Sequence, residues 1–488
     1  MPLLRLVFLF LFCQASFGAR AKDYPASLFG IHSDGRTLNT RSIQFAIDYI
    51  HGQGGGRLVF DVGRFLTGSL HLKSNVTLHL LEGAVLLGAT NPFDYDRKGY
   101  TALVLAHDQE NIAITGKGVI DGQGREVARQ TVALVHKGLV KDLFRNDRPE
   151  VEIRPMLVYF RSCRRALVRG VTLRNAAAWV QTYDQCRNLR VDSITVDSRA
   201  FWNNDGIDLV DCDSVAVTHA YINSADDGIC LKSHDPARLC RNILIRDCTL
   251  RSSANAIKLG TASLGGFQSI RIRNIRVYDT YRSALALEAV DGGFIEDVTA
   301  DSLQVVNTGN LLFLRIGERV SGRKGRLERI RVRHVQAEIA AGKPDAGYEY
   351  EGPVEDMPRN ISPAVILAGL PGAPIRDIVL EQIDIQHPGG GDPFFARAAP
   401  GTRDSVVERA AAYPEFSMFR ELPAWAVYMR HAREVRCVKL SLDCEKKDYR
   451  PAVVVEEVQG VQFTGTAVQQ PGKKKELYQQ RSSGVLFR

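Results

Sequence analysis

The sequence predicts an all-β protein built as a parallel β-helix, in which short strands stack coil upon coil. From residue 157 onward, similar segments follow one another every 21 to 28 residues, and such a period is typical of stacked repeat architectures. Each segment contains two or three stretches with alternating apolar residues, as in residues 189–196. No helical pattern separates these strands, and the 42 glycines suit a turn-rich β protein.

The N-terminal region contains two elements of a different kind. Residues 1–19 have one arginine, an apolar core from Leu6 to Cys13 and small residues after it, which is typical of a secretory signal peptide. We therefore expect a soluble chain that is secreted or periplasmic and has no membrane span. Polar Asn39 and Thr40 then precede apolar residues at 43, 46, 47 and 50, which predicts a short helix that caps the open end of the solenoid.

The rest of the chain is expected to form one domain. The β-helix is predicted to extend over residues 20–470, followed by a C-terminal tail at 471–488. Within the domain, long loops rich in proline, glycine and aromatic residues are expected at about 340–360 and 387–425. Loops of this length in a compact fold are usually functional walls or lids.

Eight cysteines remain after the predicted signal peptide. Cys163, Cys186, Cys212 and Cys240 recur in comparable contexts, which favours stacked, half-buried thiols, although an exported protein could pair them. A disulfide is expected first between Cys437 and Cys444. No cysteine spacing resembles a zinc site.

The formal charge of +8 and the pI near 9.0 suit an acidic partner. Because the chain is expected to be exported, an acidic polysaccharide is favoured over nucleic acid. A mildly basic surface without a binding role is the alternative.

The strongest chemical signal is a pair of Asp-Gly-Ile steps, in "NNDGIDL" (203–209) and "SADDGICLKS" (224–233). Coils stack about 4.8 Å apart, so Asp205, Asp227 and Asn255 fall in one column, with Asp226 over Asn204. Crowded carboxylates raise one another's pKa, and a protonated acid beside an ionised carboxylate is what glycoside hydrolysis needs. Calcium binding by the same acids and a solvated acidic turn are the alternatives.

Together with "GGGRLVFDVGRFLTGSLHLKSNVTLHLLEGAVLLGA" and "GKGVIDGQG", these motifs make the chain similar to glycoside hydrolase family 28, the polygalacturonase family of right-handed parallel β-helices. The resemblance implies that Asp226 is the general acid. It implies that Asp205 and Asp227 hold and activate water in an inverting hydrolysis that uses no metal and no cofactor. It also implies that Lys232 is structural or assists substrate binding.

Two departures from the family pattern concern the substrate. In "ANAIKLGT", Asn255 stands where the family has histidine and Lys258 where it usually has serine. The basic Arg-Ile-Lys motif falls on 286–288, which ends in Glu288, and an acid would repel a galacturonate carboxylate. Lys258 either replaces some of the missing positive charge or forms a salt bridge with Asp227. The residues expected to bind substrate are Asn204, Lys232, Asn255, Lys258 and Glu288.

Three functions follow from this pattern. The first is a monomeric, inverting glycosidase acting on pectic poly- or oligosaccharides, of rhamnogalacturonan type and exo-acting if the aromatic residues of 413–428 close one end of the groove. The second is a polysaccharide lyase on the same fold. The third is a non-catalytic carbohydrate-binding β-helix. Neither nucleic acid nor a membrane is expected as a partner.

Overall fold

A computed structural model of the protein describes residues 22–97, 99–141, 150–344, 362–393, 406–472 and 476–488. These residues form a right-handed parallel β-helix, so the predicted fold is confirmed. Every strand pairs in parallel with the equivalent strand one coil away, and all strands belong to one continuous sheet with three faces. None of the helices within these ranges has the length and apolar character needed to cross a bilayer.

The strands are grouped here by face. Face A contains Leu70–His71, Ala102–His107, Met156–Arg161, Gln181–Asp184, Ile207–Val210, Ile229–Ser233, Ile257–Ser263, Val365–Ala368, Val427–Arg430, Val453–Glu456 and Leu477–Gln480. Face B contains Asp23–Pro25, Gly56–Phe60, Val76–Leu80, Ala113–Gly116, Leu167–Arg169, Arg187–Asp192, Asp213–Thr218, Gln459–Thr464 and Ser483–Phe487. Face C contains Gly63–Thr67, Ala84–Gly88, Val119–Asp121, Thr172–Arg174, Thr195–Ser198, Tyr221–Ser224 and Ala467–Gln469.

Longer strands bend from one face into the next. They are Cys240–Ser252, Gly266–Ala289, Phe294–Ile316, Arg326–Ile339, Ile375–His387 and Ala432–Cys444. The helices are α1 (Thr40–Gly52), α2 (Gly124–His136) and three 3-10 turns at Ala26–Phe29, Pro92–Asp94 and Val151–Ile153.

Alternation along each strand decides which side chains enter the core. Inward positions carry aliphatic residues that stack on their counterparts one coil away, as Ile207 does on Ile229 and Ile229 on Ile257. These residues are fully buried. Because each coil buries its apolar face only against its neighbours, the stack supplies one long core.

Helix α1 packs against the first coil, as the sequence predicts. Its buried residues are Ile43, Ala46, Ile47 and Ile50, which are the residues of the predicted apolar stripe. The helix therefore covers the core at the end of the solenoid, where the first strands would otherwise expose it.

The C-terminal segment differs from the expected tail. Residues 477–480 and 483–487 add strands to faces A and B, pairing with 453–456 and 459–463. The alternation in this segment is too short and too polar to be recognised without the preceding coil as a template. The predicted signal peptide, and most of the loop at about 340–360, lie outside the described residues; the loop at 387–425 is described except for 394–405.

The thiols stack as expected, but they are fully buried rather than half-buried. Cys186 and Cys212 occupy one column of face B, since their neighbours Arg187 and Asp213 are in register. The expected Cys437–Cys444 disulfide is wrong: both cysteines are free. They lie on one strand that bends from face B into face C, with Cys437 on face B and Cys444 at the end of the part on face C, so they stand on different faces rather than side by side.

We therefore expect reductant to leave the stability of the protein unchanged. Melting temperatures measured with and without dithiothreitol should agree, because no described cysteine is in a disulfide. Thiol titration of the denatured, unreduced protein should find all eight of these cysteines reactive. A melting temperature that falls by several degrees in reductant would contradict the free-thiol assignment.

Candidate active site

Three turns that lead from face C into face A bring the acidic motifs together. The amide of Gly206 donates to the carbonyl of Asp227 (2.9 Å), and the amide of Gly228 donates to the carbonyl of Asn255 (2.8 Å). The predicted column of Asp205, Asp227 and Asn255 is therefore present. Gly206 and Gly228 are needed because a Cβ on either would lie 2.6 Å from the carbonyl oxygen of the next coil.

Asp227 sits among hydrogen-bond donors and cations. Its Oδ1 accepts from the backbone N (3.0 Å) and Nδ2 (2.9 Å) of Asn255, and its Oδ2 lies 3.1 Å from Nζ of Lys258. Burial alone would raise the pKa of Asp227, but the charges of Lys258, Lys232 and Arg282 and the Asn255 bonds lower it to about 2. Asp227 is an ionised carboxylate at any ordinary pH.

Asp205 has the opposite environment. It is 4% exposed, its Oδ2 lies 3.2 Å from Nζ of Lys232, and its Oδ1 is buried without a hydrogen-bond partner among the described residues. Burial raises the pKa of Asp205 well above its ordinary value, the charges of Asp208 and Asp226 add to the effect, and Lys232 only partly opposes it. The pKa values of two acids one coil apart are therefore shifted in opposite directions.

Asp226 is the acid that faces outward. It is half-buried, whereas Asp205 and Asp227 are buried. Its Oδ1 accepts from the backbone N of Asp227 (2.9 Å), and its carbonyl accepts from the hydroxyls of Ser224 (2.8 Å) and Ser252 (2.6 Å). These bonds fix the backbone of the turn and aim the carboxyl group of Asp226 away from the core.

Asn204 holds the turn that precedes Asp205. Its Oδ1 accepts from Ser198 and from two backbone amides, and its Nδ2 donates to two backbone carbonyls of the previous coil, at 3.0 and 2.8 Å. The side chain is 0% exposed. All of its polar groups are thus occupied within the protein.

Lys232 was expected only from the family resemblance, and the structure places it under the acids. Its ammonium group forms ion pairs with Asp205 and Asp208 and lies 4.7 Å from the centre of the Trp179 ring. Asp208 was missed in the sequence, although alternation along residues 207–209 points it outward on face A. Burial raises the pKa of Asp208 to about 6, with Lys232 opposing.

Lys258 and Glu288 form a second buried pair beyond Asp227. Nζ of Lys258 lies 3.9 Å from Glu288 and 3.2 Å from the hydroxyl of Tyr413. Glu288 is 1% exposed; burial raises its pKa to about 7, while Lys258 opposes this. The salt bridge of Lys258 with Asp227, one of the two alternatives for this lysine, is present.

The segment 406–426 forms a wall over face A on the C-terminal side of the acids. Three cations from successive coils hold it: Lys258 contacts Tyr413, Arg282 pairs with Glu415 (2.9 Å), and Arg315 donates to the carbonyl of Glu408 (2.7 Å). Of its aromatic residues and the strand after it, Phe416, Trp425 and Tyr428 are buried, Phe419 is partly buried, and Tyr413 is 53% exposed.

Aromatic residues also border the other side of the acids. Trp179 lies one coil before Asp205, since the amide of the next residue, Val180, donates to the carbonyl of Asp205 (2.8 Å). Tyr100 packs beside Trp179, with ring centres 6.2 Å apart, and beside Tyr159 at 5.2 Å. The acids therefore lie between an aromatic patch (Tyr100, Tyr159 and Trp179) and the wall.

The alternative of a metal site was tested on the donor groups. Among the described residues, Asp205, Asp227 and Cys230 bring ligand atoms within 4.8 Å of one another. However, Nζ of Lys232 lies 3.0 Å from the Cys230 sulfur, and Nζ of Lys258 lies 3.1 Å from Asp227. Two ammonium groups already neutralise these donors and would repel a calcium ion, so the residues do not fit one.

Known proteins share this fold and part of this sequence. The family model for glycosyl hydrolases family 28 matches residues 59–281. An exo-poly-alpha-D-galacturonosidase of Dickeya chrysanthemi is 27% identical over 323 residues, covering 54% of this chain and 52% of that protein. The chain thus spans about half the length of this curated relative.

Solved structures agree with this assignment. A hyperthermoactive exopolygalacturonase from Thermotoga maritima is 25% identical, with a TM-score of 0.58 over 75% of this chain and 87% of that one. The family 28 exopolygalacturonase of Yersinia enterocolitica shares the fold, with a TM-score of 0.60 over 96% of this chain and 78% of that one at 18% identity. The match over residues 59–281 and these relatives support membership of the chain in glycoside hydrolase family 28.

The charge on Lys258 should set the pH at which Asp227 titrates. The Lys258→Met variant lacks the cation nearest to Asp227, so the pKa of Asp227 should rise. The acid limb of the pH–activity profile should therefore move up by about 1 to 3 pH units. The broken buried pair should also cost about 3–5 kcal/mol of stability, which thermal unfolding would show.

Two further variants control this experiment. Lys439→Met removes an exposed lysine on face B and should change neither property. Lys258→Met/Glu288→Gln also removes one buried negative charge and should recover part of the stability. An acid limb that stays in place in a folded Lys258→Met protein would contradict the role assigned to this lysine.

Proposed function

We propose that the protein is an inverting glycoside hydrolase that cleaves pectic glycans, with Asp226 as general acid and Asp227 as general base. The observation that carries this proposal is the column itself: an ionised carboxylate, a protonation-prone buried acid and an outward acid within two successive turns. Its relatives named as galacturonan hydrolases support the substrate class.

In the proposed reaction, the carboxyl group of Asp226 donates its proton to the glycosidic oxygen while the bond from that oxygen to the anomeric carbon breaks. Water attacks the anomeric carbon from the opposite side and gives its proton to Asp227. In this proposal Asp205, whose Oδ1 has no hydrogen-bond partner among the described residues, orients that water. The product sugar has inverted configuration, and Asp226 and Asp227 then exchange the proton with solvent.

Asn204, Asn255, Lys258 and Glu288 act indirectly in this proposal. Asn255 and Lys258 contact Asp227, and Glu288 lies 3.9 Å from Lys258. Asn204 holds the turn before Asp205. We therefore assign these four residues to positioning the acids rather than to binding sugar. Lys232 holds Asp205 in the same way. Sugar rings would instead stack on the aromatic patch, where Trp179 offers an apolar face next to the acids.

Exo action is supported by the wall. Segment 406–426 covers face A on one side of the acids and is held by Lys258, Arg282 and Arg315. A groove closed on one side admits the end of a chain more readily than its middle.

Rhamnogalacturonan as the substrate is supported by residues 286–288, which stand where the family has its basic Arg-Ile-Lys motif. Ala286 is buried in the apolar cluster beneath the wall, and Glu288 lies 1% exposed beside Lys258. Neither position offers a cation to a galacturonate carboxylate, so a neutral sugar such as rhamnose suits the neighbouring subsite better.

The role of Asp226 is tested by Asp226→Asn. The amide cannot donate the required proton, so hydrolysis should fall by about 10²- to 10⁴-fold with unchanged thermal stability. Asp213→Asn, which alters an acid paired with Arg241 on face B, is the matched control and should keep full activity. Turnover retained in Asp226→Asn would remove Asp226 from the mechanism.

Product analysis tests which glycan is cleaved and whether cleavage begins at a chain end. Rhamnogalacturonan, homogalacturonan and arabinogalactan oligosaccharides would be incubated with the protein and with Asp226→Asn, and products followed by chromatography and NMR. We expect rhamnogalacturonan to be cleaved fastest, one short product to appear from the start, and that product to have inverted configuration. Faster cleavage of homogalacturonan would overturn the rhamnogalacturonan assignment, and a broad early product range would overturn exo action.

A further inference from the structure

A second groove lies away from the acids, on the corner between faces B and C. It has a volume of about 720 Å³ and extends over five coils. One outward residue from each coil stands in register along face C: Thr249, Arg276, Gln304, Gln336 and Asp384. This row is here called the face C trough.

Three polar side chains of the trough have no hydrogen-bond partner among the described residues. Gln304, Gln336 and Asp384 are exposed, and none of the three forms a side-chain hydrogen bond with another described residue. The charged residues on face B beside them do pair, as in Arg331 with Asp377 (2.9 Å) and Arg333 with Asp301 (2.9 Å). The contrast shows that donors and acceptors are left available in the concave part of this surface.

An aromatic pair stands at one end of the trough. Tyr221 occupies the same row, in register with Thr249 one coil away, and is 37% exposed. Its hydroxyl lies 2.8 Å from that of Tyr278, whose ring is 5.7 Å from the guanidinium of Arg276. Exposed tyrosine rings next to hydrogen-bonding side chains are a common way to hold sugar rings.

We infer that the face C trough binds a stretch of glycan chain outside the active site. Its residues follow one another at the spacing of the coils, about 4.8 Å, which is close to the advance of one sugar along an extended glycan. Successive side chains can therefore contact successive sugars. The row contains amides, a hydroxyl, one cation and one anion, which suits a hydroxyl-rich ligand. The mixed charge and absence of an outward apolar row disfavour nucleic acid and an apolar peptide. That the glycan is pectic rests on the proposed function.

The trough is close enough to the acids to serve the same polymer. Tyr221 begins the strand Tyr221–Ser224, which runs directly into the turn that carries Asp226. Five residues reach at most about 18 Å, so a polysaccharide held in the trough is kept at high local concentration beside the active site. Short oligosaccharides, which cannot span both places, would gain nothing from it.

The test measures binding without turnover. Binding of soluble rhamnogalacturonan polymer to Asp226→Asn would be compared by calorimetry with binding to the same variant carrying Gln304→Ala/Gln336→Ala. We expect the trough variant to bind the polymer roughly thirtyfold more weakly, since two lost hydrogen bonds of about 1 kcal/mol each correspond to that factor at about 1.4 kcal/mol per tenfold. Gln459→Ala/Gln462→Ala, which changes two exposed glutamines on face B, is the matched control and should bind normally.

Kinetics separate this inference from the proposed function. With Asp226 intact, the trough variant should cleave short oligosaccharides at the normal rate and show a raised KM only on polymer. Unchanged polymer binding in the trough variant would overturn the inference while leaving hydrolysis in place. Trough-dependent binding by a protein that hydrolyses none of the glycans would support the trough and overturn the proposed function.

Discussion

Two buried lysines that pair with the carboxylates of neighbouring coils are the interaction on which the site depends. Lys232 lies between Asp205 and Asp208, and Lys258 lies between Asp227 and Glu288. Acids stacked at the spacing of a sheet would otherwise repel one another in a low-dielectric environment. The cations make the column stable, and their unequal placement gives Asp205 and Asp227 pKa values on opposite sides of the ordinary one.

The same lysines connect the acids to the shape of the groove. Lys258 contacts Tyr413 of the wall, and Lys232 contacts the ring of Trp179 in the aromatic patch. Each lysine therefore contacts both an acid and the surface that borders the acids on one side of the groove. Lys258, which stands where the family usually has serine, forms its ion pairs inside the protein, with Asp227 and Glu288. These pairs explain how Lys258 can coexist with an acid at position 288.

The sequence was sufficient for the fold and the column because both follow from periodicity. Alternation identifies inward residues, and repetition of Asp-Gly-Ile places Asp205 over Asp227. Periodicity also contains the signal for Asp208, which alternation points outward. It contains none for the contact of Lys258 with Tyr413, since these residues are 155 positions apart and the wall has no repeat. The burial of Glu288 has no signal in the sequence for the same reason, and the Cys437–Cys444 pair is wrong because both residues belong to one continuous strand.

Neutron crystallography at a pD near 5 would show directly whether the pKa values of the neighbouring acids are shifted in opposite directions. Deuterium on a carboxyl group can then be observed rather than inferred. We expect a deuteron on Asp205, where burial raises the pKa, and none on Asp227, where Lys258 and Asn255 keep the carboxylate ionised. A deuteron on Asp227, or two bare carboxylates at Asp205 and Asp227, would contradict it.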